Sequence, residues 1–252
     1  MPARVIINAD DLGVSELVND TIFSLMAERR VSSATILANG AAFEDAVRRA
    51  RRFPEASFGV HLNVTEFRPL TRSKELSELL DSDGAFRGAA HLRKAKSKRR
   101  LRLEITAEWR AQISRVRSAG IHVSHLDSHH HAHTLPFLFP ALKQLQREFG
   151  IRKVRRTKNL YTSRNQPAWR LLLGKVLWNI ALQVWYATRT TRIFTSFEDF
   201  LQIAPARLAK HASFELMVHP GTERFAQETR SLSTPWREYL GFPTQLISFE
   251  AL

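Results

Sequence analysis

The sequence predicts an α/β protein whose parallel strands curl into a (β/α) barrel, and three observations carry that reading. Short apolar runs alternate with helix-period segments, an order that demands crossover connections and a parallel sheet. The 252 residues fit one barrel-sized domain, with no internal repeat or low-complexity linker to divide them. Acids and imidazoles recur at or near the C-terminal ends of the strand candidates: Asp10 and Asp11, His61, His125 to His129, and His219. In a (β/α) barrel those ends converge on one face, where the active site is built.

Arg4-Val-Ile-Ile-Asn8-Ala is a buried-strand pattern that ends in acids. Ser15 caps the next segment, in which Val18, Ile22, Leu25 and Met26 recur at helical spacing. Residues 31–38 read as a second strand closed by Asn39-Gly40, 42–52 as a helix broken before Pro54, and 57–64 as a third strand. A polar loop with the turn signal Asp83-Gly84 fills 65–88. A long helix over 101–119 leads to a strand over 121–127 that delivers the histidines. Residues 136–149 form a helix stopped by Gly150, and 151–156 a further strand. The poorly patterned stretch 158–197 reads as an insertion with its own helix, and 212–218 as the last clear strand, running into His219-Pro220-Gly221.

Composition narrows the class. An apolar fraction of 44% and a charged fraction of 25% are ordinary for a soluble globular protein. The absence of cysteine excludes disulfides and thiolate metal sites, so any metal is held by nitrogen and oxygen. It also fits a reducing compartment. The N-terminus reaches two acids by position 11 without a long apolar stretch, unlike a signal peptide. The most apolar segment, 171–187, is interrupted by Lys175 and Asn179 and is too short to span a bilayer, so it reads as a buried or surface-docked helix. A cytoplasmic location is the expectation.

The net charge of +14 is concentrated in two runs, Arg93 to Arg102 and Arg152 to Lys158. Such a balance attracts polyanions and anionic membrane surfaces in general. No aromatic residue interleaves with the 93–102 run, so a base-stacking platform for nucleic acid is not supported there. The 171–187 segment suits peripheral contact with an anionic membrane or a homodimer face.

Six of the ten histidines fall within twelve residues, His122-Val-Ser-His125-Leu-Asp127-Ser-His129-His130-His131-Ala-His133. Imidazole is the commonest metal ligand and titrates near neutrality, so a block of imidazoles with an interleaved carboxylate reads as a metal-dependent active site. At a strand end, at least one of His125, His129, His131 and His133 should enter it, with Asp127 placed to orient a ligand imidazole. Of Asp10 and Asp11, one can bind metal while the other acts as a general base; alternatively, one caps the following helix. His61 is either a ligand or a hydrogen-bonded core histidine. His219 is either a general acid for a leaving group or a turn residue.

These motifs, in this order, resemble the YdjC-like carbohydrate deacetylases: Asn8-Ala-Asp-Asp-Leu-Gly13-Val-Ser15, Gly59-Val-His-Leu-Asn63, His125-Leu-Asp-Ser-His-His-His-Ala-His133 and Glu215-Leu-Met-Val-His-Pro-Gly221. That group includes chito-oligosaccharide deacetylases and deacetylases associated with hopanoid synthesis. The histidine run is its most specific part. Leu12 stands where the family more usually has Phe, and the segment from about 158 to 197 has no match. The resemblance implies a distorted (β/α) barrel of the polysaccharide-deacetylase-like kind, in a single domain. It implies one divalent cation, magnesium favoured and zinc compatible, held by Asp11, His61 and His125. Asp10 would be the base and His219 the acid; Asp127, His129, His131 and Arg155 (or Arg156) would support them or touch substrate. Spacing alone leaves His129 and His133 open as ligands. The implied reaction removes an N-acetyl group from an N-acetylglucosamine-containing carbohydrate or glycolipid. Two other readings compete. A phosphoester hydrolase or nuclease would call for more acids around a second metal. A non-catalytic, basic surface-binding barrel would have no need of Asp10, Asp11, His61 and His219 together.

Overall fold

The computed structural model describes residues 1–72, 75–95 and 98–252; Lys96 of the predicted basic run lies outside the described residues. The strands are β1 (Ala3–Leu12), β2 (Ser33–Ile36), β3 (Ser57–Leu62), β4 (Val123–Ser128), β5 (Ile193–Ser196), β6 (Ser213–Val218) and β7 (Thr244–Leu246). They form one sheet in the order β4-β3-β2-β1-β6-β5, with β7 paired to the start of β1, and every pairing is parallel.

The sheet curls into a distorted, incompletely closed barrel. Its seam is the segment after β4. Leu126 bridges Val154 and Lys153 bridges Arg189, and Asn159 N donates to Phe194 O in β5. The strand expected over 151–156 is thus reduced to bridge residues, because each side of the seam reaches this segment for only a single pair. β5 and β7 are strands the sequence pattern did not reveal. β5 lies inside the stretch read as an insertion, and β7 has only three residues.

The helices are α1 (Glu16–Ala27), α2 (Phe43–Ala50), α3 (Ala89–Lys94), α4 (Lys98–Ser118), α5 (Phe139–Phe149), α6 (Trp169–Val184), α7 (Phe197–Leu201), α8 (Pro205–Leu208) and α9 (Ala226–Leu232). Ser15 Oγ accepts from Val18 N at 3.3 Å and starts α1 as expected. Gly150, at φ 69°, ends α5 in the left-handed conformation that favours glycine. Apolar residues every three or four positions, such as Leu101, Ile105, Trp109, Ile113 and Val116 of α4, are buried in the main core. No helix among the described residues is long and apolar enough to cross a membrane.

Inside the curl, strand alternation stacks side chains in layers. Ile6, Ile247 and Phe249 close the bottom. Asn8 and His125 lie above them, opposite Gly59: a Cβ on Gly59 would come within 2.7 Å of the His125 ring. The next layer up, just under the mouth, holds Asp10, Thr35, His61, Asp127, Arg155 and Glu215, all buried.

Candidate active site

Two consecutive carboxylates reach the mouth because β1 is bulged. The strand runs through both acids instead of stopping before them. Its register with β2 shifts between Ala9 and Leu12, and Asp11 adopts φ 65°. An extra residue in a strand re-aims the side chain beside it. Side chains that would otherwise point to opposite faces therefore both serve the site.

Asp11 Oδ1 lies 2.9 Å from His129 Nδ1 and 3.3 Å from His61 Nε2. The two ring nitrogens are themselves 3.3 Å apart. Each imidazole is held from behind by a carboxylate. His61 Nδ1 donates to Asp127 Oδ1 at 2.7 Å, and His129 Nε2 faces Glu66 Oε2 at 3.2 Å. A proton on the far nitrogen leaves the near one with its lone pair directed at Asp11, the tautomer that a metal-binding histidine needs. One carboxylate and two imidazoles suit a divalent cation, so Asp11, His61 and His129 could hold one.

The electrostatics agree with a cluster short of positive charge. Burial opposes ionisation of Asp11, yet the adjacent His129 and His61 imidazoles outweigh it and hold the carboxyl well below its usual range. Burial likewise opposes charge on the imidazoles. The neighbouring charge of Asp127 and its hydrogen bond, with the adjacent Asp11 carboxylate, lift His61 to about 10; the Asp11 and Glu66 carboxylates beside it lift His129 to about 9. The carboxylates around these rings would welcome a cation in place of those protons.

Directly beneath, Arg155 joins three strands. Its Nη1 and Nη2 donate to Asp10 Oδ2 and Oδ1 at 2.6 and 2.7 Å, and Nε donates to Glu215 Oε1 at 2.5 Å. Nη1 also lies 2.7 Å from Asp127 Oδ2. One guanidinium thus faces three buried carboxylates. Burial raises Glu215 to about 7 against the pull of Arg155. Arg156 is turned elsewhere, donating to Thr191 O and Arg192 O.

His219, after β6, places Nε2 4.0 Å from Asp10 Oδ2. Its ring stacks on Phe225 at 4.4 Å between centroids. Its backbone N–H donates to Glu228 Oε1 at 2.6 Å. Burial lowers the pKa of His219 and raises that of Glu228 to about 8.

His125 is not brought to this group, which corrects the expectation that it stands with Asp11 and His61. β3 and β4 are in register at His61 and Asp127, which leaves His125 one layer deeper. Its Nε2 donates to Asn8 Oδ1 at 3.1 Å, Nδ1 lies 2.8 Å from Ser124 Oγ, and the ring stacks on Phe249 at 3.7 Å. Burial lowers its pKa to about 3, so it is a neutral core residue. His129, at the strand end proper, takes the place at the mouth.

The other histidines divide as the turn dictates. His130 and His131 have φ 51° and 55°. His131 packs edge-on to Phe194 and, with His130, lines a cavity of about 490 Å³ beside α6. His133 is buried; its Nε2 donates to Arg155 O at 3.1 Å and supports the seam. A cavity of about 520 Å³ at the opposite end of the sheet, bordered by Ser32, Pro54 and Ile247, has no part in this cluster.

Glu66, Glu215 and Glu228 were not singled out from the sequence. Glu215 carried a signal, an acid in an otherwise apolar strand, Phe214-Glu-Leu-Met-Val218. Glu66 and Glu228 sit in polar local contexts and carried none.

The profile of the family described as YdjC-like protein matches residues 4–240. A protein of Brevibacillus brevis named carbohydrate deacetylase is 38% identical over 149 residues, which cover 59% of this chain and 57% of that one. One of the same name from Clostridium beijerinckii is 30% identical over 226 residues, covering 86% and 81%. The chain spans 57–63% of the length of several curated relatives it matches. A crystal structure from Enterococcus faecalis V583, of a protein with a suggested role in cellobiose-phosphate cleavage, superimposes with a TM-score of 0.76 at 22% identity, covering 100% of this chain and 99% of that one. That likeness establishes the fold.

Proposed function

Since the chain belongs to the YdjC-like family, we propose that it is a metal-dependent hydrolase that removes the N-acetyl group from an N-acetylglucosamine-containing carbohydrate or glycolipid. One observation carries the reading. Asp11 Oδ1, His61 Nε2 and His129 Nδ1 converge within 3.3 Å of one another, and each imidazole is held by a carboxylate behind it. The relatives named carbohydrate deacetylase supply the reaction class.

In this reading those three residues hold one divalent cation, magnesium by family likeness, with zinc compatible with the same donors. When bound, the cation supplies Lewis acidity to the acetyl carbonyl and lowers the pKa of a water. Asp10 takes the proton of the attacking water at Oδ2, since Oδ1 already accepts from both Asn8 and Arg155. Arg155 fixes the plane of that carboxylate. As the new C–O bond forms, the carbonyl electrons move to oxygen. They return as the C–N bond breaks, and His219 Nε2 gives its proton to the departing nitrogen, leaving acetate and a free amine. A lowered pKa makes the His219 imidazolium a stronger acid for that step, and Phe225 fixes its ring.

The test is acetate release from N-acetylglucosamine, chitobiose and a lipid-linked N-acetylglucosamine, with and without chelator. Turnover should vanish on chelation and return with added cation. Asp10→Asn should keep the cation and lose roughly 10²-fold or more in turnover, the scale of a general base. Chelator-insensitive release, or an Asp10→Asn protein purified without metal, would overturn the assignment. Phosphoester cleavage without acetate release would move the reading to the competing reaction.

A further inference from the structure

α6 buries only Trp178, Asn179 and Leu182. Trp169, Leu173, Val176, Leu177, Ile180 and Val184 are each more than half exposed. Steps of three and four residues set them on one stripe along a helix of about 24 Å. Scattered apolar residues on a surface need no explanation, but a contiguous stripe calls for a partner.

The stripe is fixed outward. Buried Lys143 donates from Nζ to Leu182 O, Trp185 O and Thr188 Oγ1, each at 2.8 Å, and pins the C-terminal end of α6. Asn179 Oδ1 accepts from Thr157 N at 2.9 Å and ties the helix to the seam. α6 is a platform and not a flap waiting to fold onto the barrel.

The charge around the platform selects the partner. Residues 151–197 contain ten Lys and Arg and no Asp or Glu. Arg152, Arg164, Arg170, Arg189 and Arg192 are exposed. A second copy packed on this stripe would bring two such cationic rims together. An anionic surface satisfies the stripe and the rim at once. Trp169 and Trp185, both exposed at the two ends of α6, belong to the residue type that favours the boundary between acyl chains and headgroups. Leu171, Gly174 and Trp178 of the same helix border the cavity that His130 and His131 line.

We propose that α6 is a peripheral membrane-docking helix that lies in the plane of a bilayer rich in anionic phospholipid. The Trp169–Val184 stripe sits at the acyl boundary and the flanking arginines sit against the headgroups. Docking holds the cavity beside the histidine turn next to the lipid surface. The proposal stands on the surface alone and does not depend on the reaction assigned to the site.

Vesicle co-sedimentation tests it, with phosphatidylcholine alone and phosphatidylcholine mixed with phosphatidylglycerol at about 0.15 M salt. The protein should sediment with the anionic vesicles only. Leu173→Gln combined with Ile180→Gln, both at exposed positions, should weaken binding about tenfold or more. Arg170→Gln and Arg189→Gln should each weaken it about fivefold. Circular dichroism should show the fold retained in every variant. No sedimentation with anionic vesicles, or equal sedimentation of the double glutamine variant, overturns the proposal. So does a solution dimer that this variant dissociates in the absence of vesicle binding, an outcome that would assign the stripe to a second copy.

Discussion

Two regions of the barrel use the same chemistry to different ends. In the inner layer, Arg155 meets Asp10, Asp127 and Glu215 with its side chain wholly buried. At the mouth, Asp11, His61 and His129 meet one another, the carboxylates behind the rings and, at His61 Nδ1, the Thr35 hydroxyl. The inner layer carries its own cation as a covalent part of the chain. The mouth has three donor atoms and no fixed cation, only protons that can leave. A buried charge needs a partner, and here the partner decides the role: a built-in guanidinium makes a scaffold, and in the proposed reading an exchangeable cation makes a site.

The strongest test of that contrast substitutes two histidines of the run, His129 at the mouth and His125 one layer below the guanidinium. His129→Ala should lose the bound cation, and activity with it, by more than the roughly 10–100-fold that follows loss of an outer carboxylate. His125→Ala should keep the cation in whatever fraction still folds and lose about 2–4 kcal/mol of stability, the scale for emptying a packed aromatic site. Metal content and denaturant midpoints measured side by side decide it. The reverse pattern would put His125 at the mouth.

Arg155→Met comes next, and should cost about 3–5 kcal/mol by stranding three buried carboxylates without their cation. Urea unfolding of the variant should also show a steeper loss of stability with rising pH than the parent, because those carboxyls would then fold most easily when protonated. Near-parental stability would mean that the inner layer is not the scaffold described.

A smaller effect belongs to the arm that carries His219. Burial raises Glu228 to about 8, so the fold keeps a proton that the unfolded chain releases in the ordinary carboxylate range. Its contribution is full below that range and is lost as pH rises toward 8. Glu228→Gln keeps an acceptor for His219 N but cannot titrate, so it should flatten the fall in stability over about pH 5–8. Glu215, raised to about 7, contributes a slope of the same sign that should persist. An unchanged slope would show that Glu228 is ionised in the fold.

The alternation of short apolar runs and helical segments made the barrel legible, and the acids and imidazoles at strand ends marked its working face. Depth was not legible. His125 and His129 are four positions apart along and just past β4, and only the β3–β4 register, with His61 opposite Asp127, says which is buried. The bulge that turns Asp11 toward Asp10's side left no mark in composition. β5 was hidden because Ile193-Phe-Thr-Ser196 follows a long stretch without a period. The strand expected over 151–156 was over-read because an apolar run does not say how many neighbours it will find. Arg155 was reached, as an alternative to Arg156, from its place at the end of the expected 151–156 strand, while the three carboxylates it joins come from β1, β4 and β6, far apart in sequence.

The seam between β4 and β5 has a dynamic consequence. Backbone pairing there amounts to isolated bridges, so it is where local opening should be least costly, and amide exchange at Val154 and Arg155 should outpace that in β1. Parting the seam would carry the guanidinium away from three carboxylates in one movement. Breathing of the barrel and disassembly of its working face would then be a single event, read out by the same protons.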